Sequence, residues 1–97
     1  MPKYIIERDI PGLGTLPQGD LQQIAAKSNT VLHSMQQQGQ DVQWVQSYVT
    51  GDKMYCVYNA PNAESIKMHA EQGGFPANRI EEVKQIVDPT SAEGQKT

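Results

Sequence analysis

The spacing of apolar residues changes several times along the chain, and each change marks a new element. Lys3-Tyr4-Ile5-Ile6-Glu7-Arg8 is rich in β-branched and aromatic types and stops at Pro11-Gly12, which predicts a first strand over residues 3–8. From about Pro17 the apolar residues recur at steps of three and four, at Leu21, Ile24, Ala25, Val31, Leu32 and Met35. That period predicts an amphipathic helix ending near Gly39, with Gln36-Gln37-Gln38 as its solvated last turn. Two strands follow, Val42 to Thr50 and Lys53 to Ala60, joined by Gly51-Asp52, whose glycine tolerates the positive φ of a tight hairpin.

If Thr50 faces Lys53, then Val49 lies opposite Met54, Ser47 opposite Cys56 and Val45 opposite Tyr58 on one side of the sheet. The other side then carries Trp44, Gln46, Tyr48, Tyr55, Val57 and Asn59. Both faces hold large apolar groups, so both are expected to be covered. Asn62 is placed to cap a second helix over residues 63–72, with Ala63, Ile66 and Ala70 inward and Gly73-Gly74 at its end. Phe75-Pro76-Ala77 must be extended, because proline disfavours a helical residue before it. Arg79 to Val87 reads as a last strand, carrying Ile80, Val83, Ile86 and Val87 and stopped by Asp88-Pro89. The order is βαββαβ, the split motif of the ferredoxin-like α+β fold, in which two helices cover one face of a four-stranded antiparallel sheet. One domain over residues 1–90 and a flexible tail over 91–97 complete the expected organisation.

Composition narrows the function classes more than it selects one. Apolar runs are short, the longest lying around Cys56, so no membrane span is expected, and Met1-Pro2-Lys3 leads into a strand and not into a signal-peptide core. A cytoplasmic protein is the expectation. One cysteine excludes an internal disulfide and a four-Cys zinc site. The net charge of -3, spread without clusters, argues against a nucleic-acid partner. Gly12-Leu13-Gly14 follows a strand and precedes a helix, but the third glycine of a dinucleotide fingerprint falls on Pro17, so no nucleotide cofactor is expected.

The uncovered sheet face is the first candidate for chemistry. Trp44, Tyr48, Tyr55 and Val57 would share it, and such a patch marks an association or ligand surface. A homodimer through that face is one reading; a ligand cavity walled by Trp44, Tyr48, Tyr55 and Phe75 is the other. Glu7 joins the patch if Ile5 and Glu7 point to the open face; otherwise Arg8 does, with Ile6. Both phases carry one charge, and alternation leaves the choice open. Cys56 and His69 are expected on the helix side of the sheet, but no third group orients the imidazole for a Cys–His pair. Neither His33 nor His69 has a second ligand at helical spacing. A metal would therefore draw on Glu7, Cys56 and His69 from separate elements. The Gly73 to Arg79 segment is a turn, or a rim loop over the sheet end.

The combination of Tyr4-Ile5-Ile6-Glu7-Arg8, Trp44-Val45 with Ser47-Tyr48-Val49, Tyr55-Cys56-Val57-Tyr58, His69-Ala70, Gly74-Phe75-Pro76-Ala77 and Asp88-Pro89-Thr90 resembles a family of small bacterial domains of unknown function. One member of that family is described as a nickel-binding protein. The resemblance implies a ferredoxin-like homodimer of the dimeric α+β barrel type and raises the chance of a divalent metal such as nickel; it supplies no ligand set, and Glu7, Cys56 and His69 stand as candidate ligands on their own chemistry, which suits nickel without selecting it. Three functions follow as expectations: a dimer binding a metal or small ligand, a cofactor-free barrel oxygenase or isomerase with Glu7 or His69 as general base, or a structural or regulatory dimer.

Overall fold

The computed structural model describes residues 1–94. Strand β1 (Lys3–Asp9) leads through a 3-10 turn (Leu13–Thr15) to helix α1 (Gln18–Gln37). The hairpin β2 (Gln43–Val49) and β3 (Lys53–Asn59) is followed by α2 (Ala63–Gly73) and β4 (Arg79–Glu82). The sheet order is β2-β3-β1-β4, antiparallel throughout, with both consecutive helices packed on one face. This is the expected ferredoxin-like α+β fold.

Alternation along β1 settles which face each residue takes. Tyr4, Ile6 and Arg8 are buried toward the helices, while Ile5 is exposed and Glu7 half-buried on the open face. Tyr4, Ile6, Met35, Val42, Cys56, Tyr58 and Ile66 form the core between sheet and helices. Helix α2 begins as expected: the Asn62 side chain accepts from the Ser65 N–H at 2.9 Å. It ends at Gly74, whose φ of 69° is the left-handed conformation that only glycine adopts freely.

Three expectations need correction. Trp44 does not lie on the open face. Pairing steps from Trp44↔Tyr58 to Gln46↔Val57, so Val45 is a bulged extra residue. The bulge reverses the phase of β2, turning Trp44 to the helix side while Tyr48 stays on the open side opposite Tyr55. Second, Gly51 has no positive φ; the turn is held by the Thr50 N–H to Lys53 O bond at 2.9 Å and by the Thr50 hydroxyl. Third, the last strand stops at Glu82 instead of Val87. Val83 N–H still bonds Lys3 O at 2.8 Å, but Lys3 is the first residue of β1, and the Pro2 carbonyl beyond it turns the other way, to accept from Ala60 N–H at 3.0 Å, so β4 outruns the strand it pairs with. Ile86 and Val87 are left 70% and 77% exposed. Residues Pro89–Gly94 form a short 3-10 turn, and residues 95–97 of the expected tail lie outside the described residues.

The Gly12-Leu13-Gly14 segment has a structural role. Its backbone rests on the hairpin turn, with Gly14 N–H bonding Gly51 O at 3.0 Å and Gly12 N–H bonding Asp52 Oδ1 at 2.9 Å. A Cβ on Gly14 would sit 2.6 Å from the Thr50 carbonyl oxygen, so only glycine allows this approach.

Candidate functional site

The first half of α1 stands off the sheet. Its apolar stripe is only half-buried at Leu21, Ile24 and Ala25, and it closes on the core from Ser28 onward, at Leu32 and Met35. The space left under it is a cavity of about 190 Å³. Its walls are Ile10, Leu21, Ile24, Ala25, Trp44, Val49, Met54 and Phe75; its polar lining is Arg8, Ser28, Ser47, Cys56 and Tyr58. The bulge at Val45 is what brings the Trp44 ring here, stacked on Tyr58 at 6.5 Å with its N–H bonded to Ser47 Oγ at 3.0 Å.

Arg8 is the unexpected member. It is 2% exposed and lies in phase with Tyr4 and Ile6. Its Nε donates to Cys56 Sγ at 3.4 Å and one terminal nitrogen donates to Pro76 O at 2.6 Å, while the other terminal nitrogen is buried without a partner. The Phe75 ring lies 5.6 Å below the guanidinium. Phe75 can fold back there because Gly73 has no Cβ, which would meet the ring at 2.2 Å.

His69 sits behind this lining and does not reach the cavity wall. It is 1% exposed, bonded through Nε2 to Ser28 Oγ at 3.1 Å, with Nδ1 unpartnered and its ring tilted against Tyr58 and Phe75. Burial first, and the positive charge of Arg8 second, push its pKa down to about 4. The imidazole is therefore neutral at physiological pH. Burial, with Cys56 adding, also raises the Tyr58 phenol above its ordinary value, against the opposing pull of Arg8 and Ser28.

The expected site residues thus divide between two faces. Phe75, Trp44 and Cys56 line the cavity under α1, whereas Glu7, Tyr48 and Tyr55 occupy the open face. Glu7 is paired there with Lys53 at 3.3 Å, and Asp9 shares the same ammonium at 3.0 Å, which holds the Lys53 pKa above its usual value. A general base at Glu7 or His69 would not face the cavity. Glu7 does not converge with Cys56 and His69, and among the described residues no group of three His, Cys, Asp or Glu side chains is placed to hold a metal. The unpartnered Nδ1 of His69 is the one orphaned donor atom of the three, and it feels the Arg8 cation. The described residues of one chain bring together no donor set that fits a nickel ion.

The family description "Nickel responsive protein SCO4226-like" matches residues 4–83. This chain belongs to that SCO4226-like family of nickel-responsive proteins. Among solved structures, the crystal structure of SCO4226 from Streptomyces coelicolor A3(2) superposes with a TM-score of 0.71. It is 19% identical, and the match covers 88% of this chain and 99% of that one, a likeness of fold. No curated protein sequence matches the chain. Within the SCO4226-like frame the matched residues contain both faces of the sheet and the whole cavity lining. No helix among the described residues is long and apolar enough to cross a membrane.

Sequence reasoning missed Arg8, Ser28 and Tyr58. The available signal for Arg8 was its phase: Tyr4 and Ile6 together bury more apolar area than Ile5 alone, so that phase faces the helices and takes Arg8 with it.

Proposed function

We propose that this protein is a homodimeric small-ligand-binding protein of the nickel-responsive family, with its binding site in the cavity between α1 and the β2–β3 half of the sheet. The observation that carries the reading is the cavity itself: apolar walls around a few convergent polar groups, including a buried arginine, are the usual make-up of a small-molecule site. Its volume suits a molecule of about ten heavy atoms or fewer. Nickel enters through the family description, and the donor set of one chain does not support a metal held within a protomer.

Methyl-detected NMR during titration with benzyl alcohol tests the site. Shifts confined to Leu21, Ile24, Val49 and Met54, and abolished in Ala25→Leu, are the expected result. Shifts scattered over the surface, or unchanged in the filled variant, overturn it. The second copy is supported by two exposed apolar features: the open face with Ile5 and Tyr48, 41% and 56% exposed, and the extended segment carrying Ile86 and Val87.

A further inference from the structure

Small-ligand binding leaves the occupant's chemistry open, and Arg8 narrows it. A guanidinium taken out of water needs a counter-charge or a complete set of acceptors, because its desolvation is otherwise uncompensated. Arg8 has neither. Its neighbours supply a carbonyl oxygen, a sulfur, an aromatic face and the nearby neutral hydroxyl of Tyr58, and one terminal nitrogen still has no hydrogen-bond acceptor. None of the ion pairs among the described residues includes it. The flanking carboxylates Glu7 and Asp9 are held on the opposite face by strand alternation and spend their charge on Lys53.

This uncompensated cation lines a cavity whose remaining walls are mostly apolar. We infer that the cavity takes a small aromatic monocarboxylate, its carboxylate facing the Arg8 guanidinium and its ring between Trp44, Ile24 and Met54; this rests on the small-ligand reading above. Charge selects the headgroup, since a carboxylate is the acceptor that a guanidinium edge binds most strongly. Ser28 and Tyr58 line the same end and offer hydroxyls to the second carboxylate oxygen. Size selects the rest. An apolar cavity of about 150 Å³ holds a benzene ring, and about 190 Å³ leaves room for one ring plus a carboxylate. A bare inorganic anion would leave the apolar walls unfilled.

The test titrates the full-length, untagged protein with benzoate, with benzamide as a neutral molecule of the same shape, and with inorganic phosphate as an anion without a ring. Trp44 is the single tryptophan, so its fluorescence reads the cavity directly, and calorimetry gives the affinities. Benzoate is expected to bind about 10- to 100-fold more tightly than benzamide, and phosphate not at all over the same range. Arg8→Met should remove that preference, and Arg8→Lys should keep only part of it. Should Arg8→Met fail to fold, Arg8→Lys carries the same question, because its ammonium keeps the charge and loses the planar guanidinium edge. Equal affinity for benzoate and benzamide, a benzoate preference undiminished in Arg8→Lys, or phosphate binding as tight as benzoate each overturns the inference while leaving a small-ligand site standing. Failure of both ring compounds to bind removes the small-ligand reading as well.

Discussion

Burying His69 among Ser28 of α1, Arg8 of β1, Tyr58 of β3 and Phe75 ties the stability of the fold to pH. The folded pKa of about 4 lies below the ordinary value of 6.5, so the folded state refuses a proton that the unfolded chain accepts. The stabilisation from a neutral His69 is complete above about pH 6.5 and is lost as pH falls from there to about 4, for a total on the order of 3 kcal/mol. Urea unfolding at a series of pH values should show this loss in the native protein and a flatter profile in His69→Gln. Arg8 makes the opposite kind of contribution. A buried cation without a counter-charge carries an uncompensated desolvation cost, which an apolar side chain of similar length does not. Arg8→Met is therefore expected to melt at or above the native temperature without ligand, in differential scanning calorimetry. Of these two residues only the side that His69 faces was legible, from its place three residues after Ile66 at the edge of the α2 stripe. Arg8 was hidden because a charge in a strand says nothing about which face the neighbouring apolar groups choose until their areas are compared.

Elements came through the sequence in order and kind because their periods are local: step three or four for the helices, step two for β1 and β3. The bulge in β2 did not. Inserting one residue changes no composition, and its only trace is the broken alternation of Trp44-Val45 and Tyr48-Val49, two apolar pairs where one face alone would give single residues. One misplaced residue was enough to move Trp44 from the cavity to the wrong side of the sheet. The shortened β4 was equally illegible, since its limit is set by where its neighbour β1 begins and not by its own residues. The contact between the Gly12–Gly14 turn and the hairpin tip is a matter of element packing. Gly14→Ala must push backbone against backbone, with an expected loss of about 1–3 kcal/mol visible in the urea midpoint, whereas Gly51→Ala meets open space and should change little.

At the scale of the whole molecule, the radius of gyration of 15.2 Å exceeds the roughly 12–13 Å of a compact chain of this length. The excess fits the extended stretch after β4, whose Ile86 and Val87 touch little of their own domain. Sedimentation velocity at micromolar concentration is expected to give a dimer for the native chain and a shift toward monomer for the double variant Ile86→Asp, Val87→Asp, and for Tyr48→Glu on the open face. A monomer in the native protein would remove the dimer from the proposed function and leave the cavity untouched.

The bulge at Val45 also bears on which kinds of association the protein avoids. A sheet that is open at both ends invites further strands, and unchecked strand addition leads to fibres. In this sheet one end is β2, kinked by an unpaired residue, and the other is β4, only four residues long. Neither end offers a straight template, so copies of the chain can meet across the flat of the sheet without polymerising along its rims.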